Sequence, residues 1–261
     1  MPPRRYGAAA LMTTSPQVEF LLSNETRAGD AALSQELSLH DQGQEPVCTA
    51  MVALALYENF LIRHGRPAPR PQAWMWIYYS SLTSEAQDVI TTQLLTGVPL
   101  LSALKALQER GLARPFGKEE DLAAYAAHLQ QLDGQGLSPL TTPAVAFRIV
   151  RVLPQLPSFF ELLSRGVAIG FTFGVDARID EWMHDATAQL ESNYECPVPG
   201  SWTDRLATHA AVIVALELTH VRVKVQNSFG KDFGEEGYFY IRLSLLWEPA
   251  FTNQEFFAFL R

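Results

Sequence analysis

The residues with chemistry to offer are a thiol, an imidazole and two amides, met along the chain as Gln42, Cys48, His209 and Asn227. Cys48 opens the apolar run CTAMVALALYENFLIR behind a polar lead-in, DQGQEP, so it falls on the first turn of an expected helix. A cysteine there is more often a small buried apolar group than a reactive one. The alternative is a thiol held at a helix N-terminus for nucleophilic attack. Gln42, followed by Gly43, lies six residues earlier, close enough to fold back beside the thiol. Its side-chain N–H and the backbone N–H of Cys48 could together stabilise an oxyanion. His209 starts the hydrophobic stretch HAAVIVALEL, where its ring can project from a sheet edge. Alone, such a histidine is more often a satisfied core residue than a base. Asn227 ends the stretch VRVKVQN, and an asparagine at a strand end is ordinarily a turn former. All four together, in this order, point to one site.

These residues need elements to hold them. Residues 47–63 carry apolar side chains with hardly any polar stripe, which predicts a helix buried on most sides. Residues 73–87, 99–111, 119–132 and 156–166 read as further helices, with Gly111 and Gly166 as stops. The pattern then changes. Residues 166–175, 209–218, 221–228 and 237–246 are rich in Val, Ile, Phe and Tyr and read as strands, with a hairpin through Leu218, Thr219 and His220. Helices first and antiparallel strands second make an α+β chain. No repeat or low-complexity linker separates the halves, so they are expected to share a cleft.

Composition narrows the function classes. The net charge of −8, with no dense Lys/Arg cluster, argues against a nucleic-acid surface. The apolar runs are far shorter than a membrane span. No histidine pair has metal-ligand spacing, and the Gly-Lys pairs in GKEED and GKDFG lack the rest of a phosphate loop, so neither metal nor cofactor is expected. Residues 1–20 read as a mobile tail, because Ala8–Met12 is too short for a secretory apolar segment. The two cysteines, Cys48 and Cys196, cannot make a disulfide framework. The composition fits a cytoplasmic protein or one exported without a cleavable signal. Cys196 reads as a loop thiol, the tryptophans as packing residues, and His40, His64, His128, His184 and His220 as surface or capping residues.

DQGQEPVC, THAAV and NSFGKDFGEEGYFYI resemble the papain-like cysteine peptidases. There a Gln-Gly pair precedes the nucleophilic cysteine by the same interval, and the asparagine lies in N-S-W-G-x-x-W-G-x-x-G-Y. WMWIYYSSL and TGVPLLSALKALQERGL are similar to segments of bacterial members. The likeness runs from about Asp41 to the C-terminus and fades between Phe116 and Leu153. The chain departs from the family at several points. Glu45-Pro46-Val47-Cys48-Thr49 stands where C-G-S-C-W is usual, and Phe229 replaces the tryptophan that shields the His–Asn hydrogen bond. The separations of Cys48 from His209 and Asn227 exceed the roughly 130–150 residues of mature enzymes, which implies insertions.

The resemblance implies a bacterial-type, disulfide-free member with two lobes and a cleft between them. The helical lobe, at about 46–145, has a long central helix starting at the nucleophile. The antiparallel β-barrel-like lobe covers about 146–250, all within one domain, 21–261. It implies a peptide or protein substrate, Cys48 as nucleophile, His209 as base, Asn227 as the uncharged group orienting the imidazole and Gln42 in the oxyanion hole. The helix dipole and an imidazolium would both favour the thiolate. Gly97 and Phe229 are the substrate-lining candidates. The same triad serves deamidases and transglutaminases, and a papain-like module that binds without catalysis is a third reading.

Overall fold

A computed structural model describes residues 29–82, 97–113, 127, 129, 131, 141–142, 145–200 and 203–261. Its central element is helix α1, Cys48–Arg63, in which 14 of 16 residues are buried. That is what a helix without a polar stripe requires: it has neighbours on all sides. Helices α2, Ala73–Leu82, and α3, Leu100–Arg110, cover one flank. A sheet covers the other. Thr49, Glu58 and Asn59 are polar residues of α1 carried into this interior, and the last two are hydrogen-bonded to neighbouring segments. Asn59 Nδ2 donates to Gly166 O at 3.0 Å and its Oδ1 accepts from Ala168 N–H at 3.0 Å. Glu58 Oε1 accepts from Ser38 N–H at 3.0 Å and from Ser38 Oγ–H at 2.6 Å.

Helix α3 ends where Gly111 takes a positive φ of 69° and returns its N–H to Leu107 O. Two two-residue strands, β2 at Leu112–Ala113 and β3 at Thr141–Thr142, pair just beyond it. The stretches 83–87 of the expected second helix and most of 119–132 lie outside the described residues. Helix α4, Leu156–Ser164, stands where the 156–166 pattern places it.

The sheet is antiparallel throughout. Its strands are β4, Arg148–Arg151; β5, Ile169–Val175; β6, Ala207–Glu217; β7, Arg222–Gln226; β8, Tyr238–Arg242; and β9, Phe256–Leu260, in the order β4-β9-β5-β6-β7-β8. A two-residue strand, β1 at Ala31–Ala32, adds to β6. The hairpin expected at Leu218–His220 joins β6 to β7, with Val221 at a positive φ of 54°. The lobe differs from the expected barrel-like form: among the described residues the sheet is open, with β4 and β8 at its ends. It also extends past residue 250, because β9 pairs with both β4 and β5. Helices α5, Ala177–His184, and α6, Ala186–Glu191, link β5 to β6; α7, Leu243–Leu246, and α8, Pro249–Thr252, link β8 to β9.

The sheet has apolar residues on both faces. Ala210, Val212, Val214, Phe257 and Phe259 face the core built around α1. Ala211, Ile213, Phe171, Ala258 and Phe256 face a second core closed by α4, α5 and the short helices. Among the described residues no helix is long and apolar enough to cross a membrane.

Candidate active site

Cys48 is the first residue of α1 and is fully buried. The turn before it is tightly held. Gly43 takes a positive φ of 58°, its N–H donates to Asp41 Oδ1, and Glu45 N–H returns to Gln42 O at 3.1 Å. The same segment is also pinned to the strand end that carries Asn227. Asp41 bridges to Phe229, Gln42 N–H donates to Ser228 O at 2.8 Å, and Gly230 N–H donates to His40 O at 3.0 Å. Gly230 takes a positive φ of 74°, which favours a glycine, and a Cβ there would also crowd the Asp41 carboxylate at 3.1 Å.

The Gln42 side chain is held at both ends. Its Oε1 accepts from Ser228 Oγ–H at 2.5 Å and its Nε2 donates to Glu45 O at 2.8 Å. Ser228 is therefore a clamp on Gln42. Sequence reading had no signal for it, since the partners are 186 residues apart.

His209 is not at a sheet edge, as its place in the sequence suggested. β6 starts two residues earlier, at Ala207, and runs between β5 and β7; His209 sits opposite Phe173 and is fully buried. Its Nε2 lies 2.7 Å from Asn227 Oδ1. An amide oxygen only accepts, so Nε2 carries the hydrogen and Nδ1 is left on the other side of the ring. Asn227 Oδ1 accepts a second hydrogen bond from Ser228 N–H at 2.9 Å, and Asn227 N–H donates to Gly237 O at 3.0 Å. The amide thus cannot swing away from the imidazole without breaking other bonds.

Aromatic rings enclose this pair. Phe229 lies 5.0 Å from the His209 ring centre, and Phe173 meets the ring at right angles at 5.5 Å. Phe229 was grouped with Gly97 as a substrate-lining candidate, yet it is only 1 % exposed and packs edge-on against Phe233. It has almost no surface to give a substrate; its contact is with the imidazole. Gly97 is buried, with a positive φ of 74°. It makes a backbone hydrogen bond to the hydroxyl of Tyr78 on α2. Burial pushes the Tyr78 hydroxyl's pKa up, and the nearby Cys48 and Glu45 push it the same way.

Other expectations resolve simply. Neither cysteine forms a disulfide. Cys196 lies in a loop, outside helix and strand, and is buried there; burial, with Asp176 and Glu195 nearby, raises its thiol pKa, which keeps the thiol protonated and unreactive. His64 caps the end of α1, its ring against Phe60 and its Nδ1 2.7 Å from Phe60 O. His184 makes the same kind of contact with Asp180 O, and His220 is exposed beside Glu217. His128 lies outside the described residues. His40 is the exception. Expected at the surface or in a cap, it is only 8 % exposed and stands 3.9 Å from Glu58.

No protein-family profile and no curated protein matches the chain. Solved structures do. Xylellain, a cysteine protease from Xylella fastidiosa, superposes with a TM-score of 0.74 at 18 % identity, covering 100 % of this chain and 99 % of that one. The fold is papain-like. Procathepsin B from Trypanosoma congolense superposes on this papain-like chain with a TM-score of 0.65 at 17 % identity, over 98 % of it and 86 % of the cathepsin. Procathepsin L 3 of Tenebrio molitor gives 0.59 at 13 % identity, over 99 % and 76 %.

Proposed function

We propose that this protein is a cysteine peptidase, with Cys48 as nucleophile and His209 as general base. The observation that carries the reading is the buried 2.7 Å bond from His209 Nε2 to Asn227 Oδ1, covered by Phe229, in a fold whose central helix begins at a cysteine. Asn227 fixes the imidazole without adding a charge, so Nδ1 is the nitrogen that exchanges a proton with the thiol. The first turn of a 16-residue helix stabilises the thiolate further.

The sulfur attacks a peptide carbonyl carbon, and the carbonyl electrons move to oxygen. The Cys48 backbone N–H and the second amide hydrogen of Gln42 meet that oxyanion, while the first amide hydrogen, on Glu45 O, keeps the side chain in place. Collapse expels the amine, which takes its proton from the imidazolium. Water, deprotonated by His209, then hydrolyses the thioester. An extended peptide lies in the cleft between the lobes, with the Gly97 backbone against it.

The test is treatment with a cysteine-directed epoxide, followed by adduct mapping and assay on a peptide substrate. The expected result is one adduct, on Cys48, with loss of hydrolysis; Cys48→Ala takes no adduct and has no activity while its circular dichroism is unchanged. An adduct on a protein that never cleaves peptides would favour a deamidase or transglutaminase. No adduct on the folded protein would leave a binding module.

A further inference from the structure

A small cavity lies between α1 and the end of β7, close behind the His209–Asn227 pair. Met51, Val52 and Ala55 of α1 wall one side, and Ala210–Val212 of β6 another. The remaining wall is polar: His40, Gln226, Asn227 and Ser228. Three of these residues carry a buried side-chain atom without a hydrogen-bond partner among the described residues, namely His40 Nε2, Gln226 Oε1 and Asn227 Nδ2. All three residues are more than nine-tenths buried, His40 being the most exposed at 8 %. Buried polar atoms are almost always satisfied, and three orphans around one cavity share one explanation.

The other ends of Gln226 and Asn227 are fixed. Gln226 Nε2 donates to Ser38 O at 2.8 Å, and Ser38 in turn donates twice to Glu58 Oε1. Glu58 Oε2 stands 3.9 Å from His40 Nε2, too far for a direct hydrogen bond but near enough to favour the tautomer with the hydrogen on Nε2. Asn227 Oδ1 is occupied by His209 and Ser228. The hydrogen-bond inventory then reads two donors, His40 Nε2–H and Asn227 Nδ2–H, and one acceptor, Gln226 Oε1. One water molecule has the complement: two lone pairs and a hydrogen to give. The cavity has room for about one water molecule.

We propose that a single buried water joins His40, Gln226 and Asn227 in this cavity, making His40 a positioning residue for Asn227 and, through it, for the catalytic imidazole. The water accepts from Asn227 Nδ2–H and holds the amide from behind, so that Oδ1 stays turned toward His209. His40 orders the water, and Glu58, on the same helix as Cys48, orders His40. A polar chain thus runs from the interior of α1 to the imidazole on β6. The positioning role rests on the peptidase reading; the water does not.

The water is tested on the wild-type protein by a crystal structure of sufficient resolution. The expected result is one ordered water within hydrogen-bond distance of all three atoms; an unoccupied cavity overturns the proposal. Positioning is tested by the rate at which iodoacetamide alkylates Cys48 from pH 4 to 9, alongside peptide turnover. His40→Leu should lower both the alkylation rate near pH 6 and kcat on the order of tenfold, the scale seen when an outer hydrogen-bond partner is removed, with KM little changed. His40→Gln, which restores a donor, should recover most of the loss, and Gln226→Met, which removes the acceptor, should reproduce it. Profiles for His40→Leu and Gln226→Met that overlay the wild type would end the positioning role. If wild-type Cys48 alkylates no faster than an ordinary thiol, the peptidase reading fails and the positioning role falls with it, while the crystallographic test still decides the water.

Discussion

The His209 ring is held by a hydrogen bond to Asn227, and aromatic rings keep that bond dry. Asn227 Oδ1 accepts from Nε2 at 2.7 Å, and Phe229, 1 % exposed, lies over the imidazole. A hydrogen bond sheltered from water orients more firmly than a wet one, because water offers the imidazole competing partners. Asn227→Ala should therefore lower kcat by about tenfold to a hundredfold, a fraction of the 10²–10⁴ that positioned proton transfer supplies. It should cost less than Cys48→Ala, since a loosely held imidazole still meets the thiol part of the time. Phe229→Ala should produce a loss of the same kind, together with destabilisation of about 3–5 kcal/mol from the lost packing. Turnover of the two variants on one peptide, beside their urea midpoints, checks both. A fully active Asn227→Ala would break the proposed assignment at its third member. At this scale the sequence singled out Cys48, His209 and Asn227, because each sits in a run whose flanking residues are distinctive, and the structure joins His209 to Asn227 and starts α1 at Cys48. It was silent about Ser228 as the clamp on Gln42, and it placed His40 at the surface or in a cap where the structure buries it. Their partners lie 186 residues away in one case and on the facing side of α1 in the other, and no local pattern encodes such a meeting.

Helix α1 and strand β5 meet at a glycine. A Cβ on Gly170 would stand 2.7 Å from Val52 Cγ1 and 2.9 Å from Leu56 Cδ1, so the helix rests directly on the strand backbone. Gly170→Ala must push α1 outward or drive two branched side chains from their rotamers. It should cost about 1–3 kcal/mol, the usual range for overpacking a full core. A urea titration should show a lower midpoint with an unchanged slope. Because α1 carries Cys48 while β6, the neighbour of β5, carries His209, alkylation of Cys48 should slow as well. Unchanged stability would mean that the helix is looser on the sheet than its packing shows. The elements themselves were unevenly legible. α1 follows a nearly unbroken apolar run, α3 and α4 follow apolar spacing and glycine stops, and β5 to β8 follow their β-branched and aromatic content, except that the expected 237–246 strand ends at Arg242 and Leu243–Leu246 is the helix α7. Strand β9, FFAFL, was missed because all five of its residues are buried, which removes the alternation that marks a strand with one wet face. β4, RIVR, is too short to stand out. Helix α5 did leave a signal: Asp176 caps it, accepting from Ile179 N–H at 2.9 Å.

The described residues form two cores with one sheet between them, and the sheet belongs to both. Neighbouring residues of β6 point alternately into the α1 core and into the core under α4 and α5, so neither can melt while the other keeps its wall. One cooperative transition is the consequence. His40 then makes the stability of the whole depend on pH, because it is buried in the polar seam beside α1. Burial lowers its pKa below the ordinary 6.5, and the Glu58 carboxylate opposes that only in part. Between the folded and unfolded pKa values, the unfolded chain binds a proton that the folded protein does not. Stability from this group is therefore complete above pH 6.5, falls as pH drops through that window, and levels off below the folded value. Other groups titrate in the same range, so the informative quantity is the difference between wild type and His40→Gln, which keeps a polar side chain but cannot titrate. Urea unfolding from pH 7.5 to pH 5 should show wild type losing stability relative to the variant, each through a single transition. A difference that stays flat with pH would mean that His40 charges freely in the folded state, and a folded state that tolerates that charge does not hold it against α1 as a neutral donor.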